Sequence, residues 1–139
     1  MSHPAGLPDL FLDRSLGRIK VPGLLRDAGL RLTTLSEHYG IPEDEAVPDE
    51  EWLQLAGSRG WVVLMKDMRI RYRPHERGAI EKFRVRCFCL AGRNLPAGEM
   101  AGRFLRCLPA IATACQRPGP FLYVVYKNQI REVELGHAA

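Results

Sequence analysis

Residues 48–67 read PDEEWLQLAGSRGWVVLMKD, and this stretch decides the fold. A proline and three acids open it, and Trp52, Leu53, Leu55 and Ala56 follow at helical spacing. That is the pattern of a helix with an acidic first turn and an apolar stripe facing a core. Asp49 stands where an N-cap would. Ser58-Arg59-Gly60 stops the helix, and WVVLM (61–65) is then an unbroken apolar run bounded by turn signals. A central parallel strand, covered on both faces, requires such a run. It ends at Lys66-Asp67.

The same grammar extends outward. Upstream, LFLD (10–13) is a short apolar strand ending in an acid. In SLGRIKVPGLLRDAG (15–29), Val21, Leu24, Leu25 and Ala28 keep helical spacing and Gly29 is a natural stop. LRLTTL (30–35) is a second strand, and SEHYGIPEDEAVP (36–48) reads as a polar connector, an ordered loop or lid. Downstream, MRIRYRPHERGAIEKF (68–83) leads through a helix starting near Pro74 into the strand VRCFCL (85–90). A loop over 92–96 precedes a long apolar helix at about 97–115. FLYVVY (121–126) and QIREVEL (129–135) are joined by Lys127-Asn128, a hairpin signal. Strands alternating with helices predict an α/β fold of three layers, α/β/α, with a central, mainly parallel sheet and a C-terminal hairpin. The expectation is one domain over 1–139, with its core in 8–116 and the hairpin in 121–135.

A chain of 139 residues with 46% apolar content has the size and composition of one globular core. No stretch approaches the roughly 18 unbroken apolar residues of a membrane span, and the N-terminus lacks a secretion-signal layout, so no membrane association and a cytoplasmic location are expected. Cys87, Cys89, Cys107 and Cys115 match no common zinc spacing and read as buried thiols of a reducing compartment. The net charge of +4 is uneven. Residues 1–60 carry 6 Lys/Arg against 10 Asp/Glu, and residues 61–139 carry 14 against 6. The second half can therefore present a basic surface to a polyanion.

In open α/β sheets, ligands bind outside the carboxyl ends of the strands. Asp13 and Asp67 each follow an apolar strand, and Asp49 opens the helix that feeds the second of them. If the two strands are neighbours, the three carboxylates converge. Clustered carboxylates repel unless a cation neutralises them, and hard oxygen ligands suit Mg²⁺ or Mn²⁺. Each acid also has a structural reading: Asp13 as a cap, Asp49 as an N-cap, Asp67 as a turn residue paired with Arg69 or Lys66.

The stretch LDRSLG, a helix ending DAG, a short strand and then PDEEWLQLAGSRGWVVLMKD together resemble the PIN-like domain nucleases, in the VapC-type toxin and Mut7-C-like group. The resemblance covers roughly residues 8–90. It implies an Mg²⁺- or Mn²⁺-dependent endoribonuclease, the toxin of a toxin–antitoxin pair. Asp13, Asp49 and Asp67 would be its catalytic metal ligands and Glu50 a further one. Its implied partners are RNA, a cognate antitoxin and a second copy of the chain, the last docking through the helix at 97–115 or the hairpin. Two positions depart from the family pattern: Met65 stands where Thr or Ser is common, and Arg69 where a further acid is common. The site is then either held by fewer ligands, or completed by Glu50, Glu51 or an acid of the second half, or inactive.

Lys66, Arg69, Arg71 and Arg73 directly adjoin Asp67 and are the expected substrate-binding cations, with Tyr72 placed to stack on a base. The bland alternative is that Arg69, Arg71 and Arg73 form one solvated face of an extended segment, or pair with the acidic 43–51 region. A rival function is a non-catalytic nucleic-acid- or protein-binding module of the same fold. A generic flavodoxin-like domain would lack the convergence of the three acids.

Overall fold

The computed structural model describes residues 2–135. Strand β1 is Leu10–Leu12, helix α1 Lys20–Asp27, β2 Leu32–Thr34, α2 Leu35–Tyr39, α3 Asp49–Arg59 and β3 Val62–Met65. Then come α4 Pro74–Lys82, β4 Arg86–Leu90, α5 Ala97–Arg106, α6 Leu108–Ala114, β5 Phe121–Val125 and β6 Ile130–Val133. Single 3₁₀ turns occupy Arg14–Leu16, Glu43–Ala46 and Met68–Tyr72.

The strands form one six-stranded sheet in the order β2-β1-β3-β4-β5-β6. The first five are parallel, and β6 pairs antiparallel with β5 as the hairpin signal predicts. Strand side chains alternate between two apolar layers. Leu10, Leu12, Val62, Leu64, Phe88 and Leu90 point into one core with α1, α5 and α6. Phe11, Val63, Met65, Cys87 and Cys89 point into the other with Trp52, Leu53 and Ala56 of α3 and Ile80 of α4. Both faces are therefore covered, which is why β3 reads as a continuous apolar run.

Three segments differ from the sequence expectation. The stretch at 36–48 is not only a connector. Thr34 and Glu37 form a reciprocal capping box that starts α2, and Glu43–Ala46 adds a 3₁₀ turn. The helix expected over 15–29 is split, with Gly17 at φ +84° ending the first turn before α1 begins at Lys20. The apolar stretch 97–115 is two helices, because Pro109 follows Leu108 and cannot continue the helix begun at Ala97. Ala101, Phe104, Leu108 and Ile111 of these helices are buried against the sheet. That face is thus not open to a second copy. The four cysteines are buried, as read. Among the described residues no helix is long and apolar enough to cross a membrane.

Candidate active site

The chain runs from β1 out to β2 on one side, then crosses to β3 on the other, so the strand order reverses between β1 and β3. That switch point is where open α/β sheets bind ligands. β1 and β3 are parallel neighbours, with Leu12 opposite Leu64, so both release their next residues at the same edge. Asp13 follows β1, and its backbone N–H donates to the Leu64 carbonyl at 3.4 Å. Asp67 lies two residues beyond β3.

Asp13 is 6% exposed. Its Oδ1 accepts from both the backbone N–H and the hydroxyl of Ser15, capping the Arg14–Leu16 turn. Ser15 Oγ in turn accepts from the Lys66 N–H at 2.8 Å, which ties the end of β1 to the end of β3. Burial pushes the Asp13 carboxyl up to about 7, against the Ser15 hydrogen bonds and with help from the negative charge of Asp49. Among the described residues no cation makes an ion pair with it.

Asp49 is the first residue of α3, and the N-cap position belongs to Pro48. Its side chain caps nothing. Instead Oδ1 accepts from the buried indole N–H of Trp52 at 3.0 Å and from Arg14 Nη1 at 3.5 Å. Arg14 is itself anchored, donating Nη2 to the carbonyls of Asp44 (2.9 Å) and Val47. Asp44 is buried under the fork of Arg18, with contacts of 3.0 and 2.8 Å. The capped 36–48 segment is therefore pinned beside Asp49.

Asp67 Oδ1 accepts from the Arg69 N–H at 3.0 Å and from its Nε at 3.1 Å. Partial burial acts to raise the Asp67 pKa. The Arg69 hydrogen bonds and the charges of Arg73 and Arg69 outweigh that and hold it below the ordinary carboxylate range. Arg73 Nη1 lies 3.2 Å from Asp67 Oδ2 and 3.6 Å from Asp49 Oδ2, so one nitrogen bridges two acids.

All three aspartates line one open pocket of about 800 Å³ with Arg14, Ser15, Lys66, Arg69, Arg73 and the 92–94 loop. The structural readings of Asp13 as a cap and Asp67 as the partner of Arg69 are realised as well, within that same pocket. Glu50 is not brought to it. Its carboxylate faces His75 Nδ1 at 3.9 Å, and the two line a separate hollow against α4. The reason is helical geometry: consecutive residues of α3 point about 100° apart. Lys66, Arg69 and Arg73 line the pocket, Tyr72 is exposed at 66%, and the side chain of Arg71 lies outside the described residues. Met65 is fully buried in the second core and supplies no ligand.

The sequence marks Trp52 as core only, and Ser15, Arg14, Arg93 and Asn94 carry no expected part in the site. A signal existed for the last two: they follow β4, and the rule applied to the carboxyl ends of β1 and β3 applies there too. Asn94 adopts φ +55°, which its short polar side chain tolerates.

Three carboxylates, one of them buried and without a counter-ion, are a donor set suited to a hard divalent cation. Their present spacing is not that of a closed site. No group of three or more His, Cys, Asp or Glu among the described residues stands so as to hold a metal, and the Arg73 guanidinium lies between two of the acids.

A family model described as a PIN like domain matches residues 8–92, nearly the span of the sequence resemblance. The chain is 42% identical over 129 residues to a Mycobacterium tuberculosis protein named "Putative ribonuclease VapC45". The match covers 93% of this chain and 94% of that protein. No solved structure matches the chain.

Proposed function

This chain belongs to the PIN-like domain family, and from that premise we propose that it is an endoribonuclease acting at the Asp13–Asp49–Asp67 pocket. It would serve as the toxin of a toxin–antitoxin pair, with RNA as substrate and a cognate antitoxin as partner. The observation that carries this reading is the convergence of three aspartates from β1, α3 and β3 on one pocket at the sheet's switch point. The ribonuclease name of a relative aligned over nearly the whole chain supports it.

Asp13, Asp49 and Asp67 would hold one Mg²⁺ or Mn²⁺. When bound, such a cation supplies positive charge for a phosphodiester under attack and acidifies a water molecule. The chain's own residues do the remaining work. Ser15 orients Asp13, Trp52 orients Asp49, and the Arg69 N–H orients Asp67. Lys66 and Arg93 face the same pocket and would take the phosphates flanking the scissile bond. Glu50, turned toward His75, is left out of the ligand set.

Asp67→Asn keeps the shape of the side chain and removes its charge. The expected result is a folded chain that no longer cleaves RNA in Mg²⁺ or Mn²⁺ buffer. Cleavage equal to the parent's would overturn the assignment. A second reading, a non-catalytic binding module of the same fold, is favoured by the bridge of Arg73 across Asp49 and Asp67. It predicts no Mn²⁺ site by calorimetry.

A further inference from the structure

Among the described residues three arginines pair with Asp49 or Asp67, and they do so differently. Arg14 pairs with Asp49 and is fixed by two backbone carbonyls. Arg69 reaches only Asp67, from two residues along the chain. Arg73 alone among the described residues reaches both, and it arrives from outside the strand-end cluster, at the residue before Pro74 that opens α4.

The contact geometry of Arg73 is that of a replaceable ion. A single nitrogen meets two carboxylate oxygens at 3.2 and 3.6 Å, without the parallel two-bond fork that makes arginine–carboxylate pairs strong. Its side chain is 34% exposed, so water competes for the guanidinium. Without it, the two carboxylates would face each other with one arginine each, Arg14 at Asp49 and Arg69 at Asp67, and no cation between them. It faces two of the three carboxylates that would hold a divalent cation.

We propose that Arg73 is the resident counter-cation of the Asp49–Asp67 pair, and that its bridge and a divalent metal would be mutually exclusive occupants of that pair. The inference rests on reading the pocket as a metal site. With a metal bound, the Arg73 guanidinium would lose these two partners and become available to an RNA phosphate in the same open pocket. Arg73 thereby lowers metal affinity in the absence of substrate and links metal occupancy to phosphate binding. Its role is that of a positioning residue acting through exchange of partners.

The test measures Mn²⁺ binding by calorimetry and by the free-ion electron paramagnetic resonance signal. It compares the full chain with Arg73→Gln and Arg93→Gln. Arg93 lines the same pocket and pairs with no carboxylate among the described residues, so it reports the effect of removing one pocket charge. Arg73→Gln is expected to bind Mn²⁺ about tenfold more tightly than the parent, as coupled ligands of one site do. Arg93→Gln, which removes an unpaired pocket charge, should tighten Mn²⁺ binding by much less. Equal or weaker binding by Arg73→Gln, or equal tightening by both variants, overturns the proposal and leaves the metal site standing. Absence of Mn²⁺ binding in every protein overturns both the proposal and the ribonuclease reading. A measurement on the unmutated chain guards against misfolding of the variant. Titration with Mg²⁺ should move the Nε resonance of Arg73 along the same isotherm as the metal, and an unmoved resonance at metal saturation refutes the exchange.

Discussion

The indole N–H of Trp52 donates to Oδ1 of Asp49 at 3.0 Å, from a ring with no exposed surface. Trp52 and Asp49 are three residues apart on α3, one helical turn, so the same helix supplies both the acid and the group that aims it. A carboxylate held in this way keeps one oxygen oriented whatever else binds the other.

Trp52→Phe tests that hold. Phenylalanine retains an aromatic ring in the second core but has no donor. Loss of such a supporting hydrogen bond typically weakens metal binding or activity about tenfold or more. The variant should therefore stay folded while Mn²⁺ affinity and RNA cleavage fall together by about that factor. Unchanged Mn²⁺ affinity in a folded variant would show that Asp49 needs no such support.

Asp13 makes a prediction about pH in EDTA buffer. Its carboxyl is raised to about 7, mainly by burial, against a reference of 3.8 in the unfolded chain. Between these values the folded chain keeps a proton that the unfolded chain has lost. The Asp13 contribution to stability is thus full below pH 4, declines as pH rises through the window, and levels off above 7. At about 1.4 kcal/mol per pKa unit, the decline is of the order of a few kcal/mol. Asp13→Asn still accepts from Ser15 but cannot ionise. Its melting temperature should match the parent's near pH 4 and exceed it near pH 8. A difference between the two that is constant with pH would refute the shift.

How much of this was legible from residues depends on the range of the interaction. β1, β3 and their terminal acids were readable because an unbroken apolar run has few alternatives, and the parallel sheet then puts both ends at one edge. Helix α2 was obscured because Thr34 serves two elements, closing the β-branched run of β2 while its hydroxyl caps Glu37. Asp49 had every local mark of an N-cap, yet the buried indole three residues on takes its oxygen. The bridge of Arg73 is legible only as the alternative pairing of the basic segment with the acidic 43–51 region, with nothing local to choose its partners. It joins residues 24 and 6 positions away through tertiary placement, and the basic segment read from sequence as a substrate arm is in part a set of counter-ions.

Gly57 governs how α3, which carries Asp49, seats on α4. A Cβ there would lie 2.3 Å from the Phe83 carbonyl oxygen and 2.8 Å from Phe83 Cβ. The obstacle is backbone, so no rotamer change relieves it. Alanine favours an isolated helix by up to about 1 kcal/mol over glycine. Overpacking at a rigid contact costs about 1–3 kcal/mol, so the clash wins. Gly57→Ala should lower the denaturation midpoint. A gain in stability would mean that the two helices can separate without cost.

The last prediction separates the pocket's cations by what already neutralises them. Among the described residues Lys66 and Arg93 line the pocket without an ion pair, whereas Arg69 is held against Asp67 at 3.1 Å. A cation already paired with a carboxylate displaces few counter-ions from a polyanion, and an unpaired one displaces nearly its full share. In EDTA, Lys66→Ala should weaken binding of a single-stranded RNA and reduce the slope of log affinity against log salt by about 0.7. Arg69→Gln removes the same formal charge but leaves Asp67 only the Arg73 it shares with Asp49, so it should weaken affinity by making the pocket more negative, with little change in slope. Equal slope changes for the two variants would show that Arg69 leaves Asp67 when RNA arrives, and the two sets of cations would then act as one phosphate-binding surface.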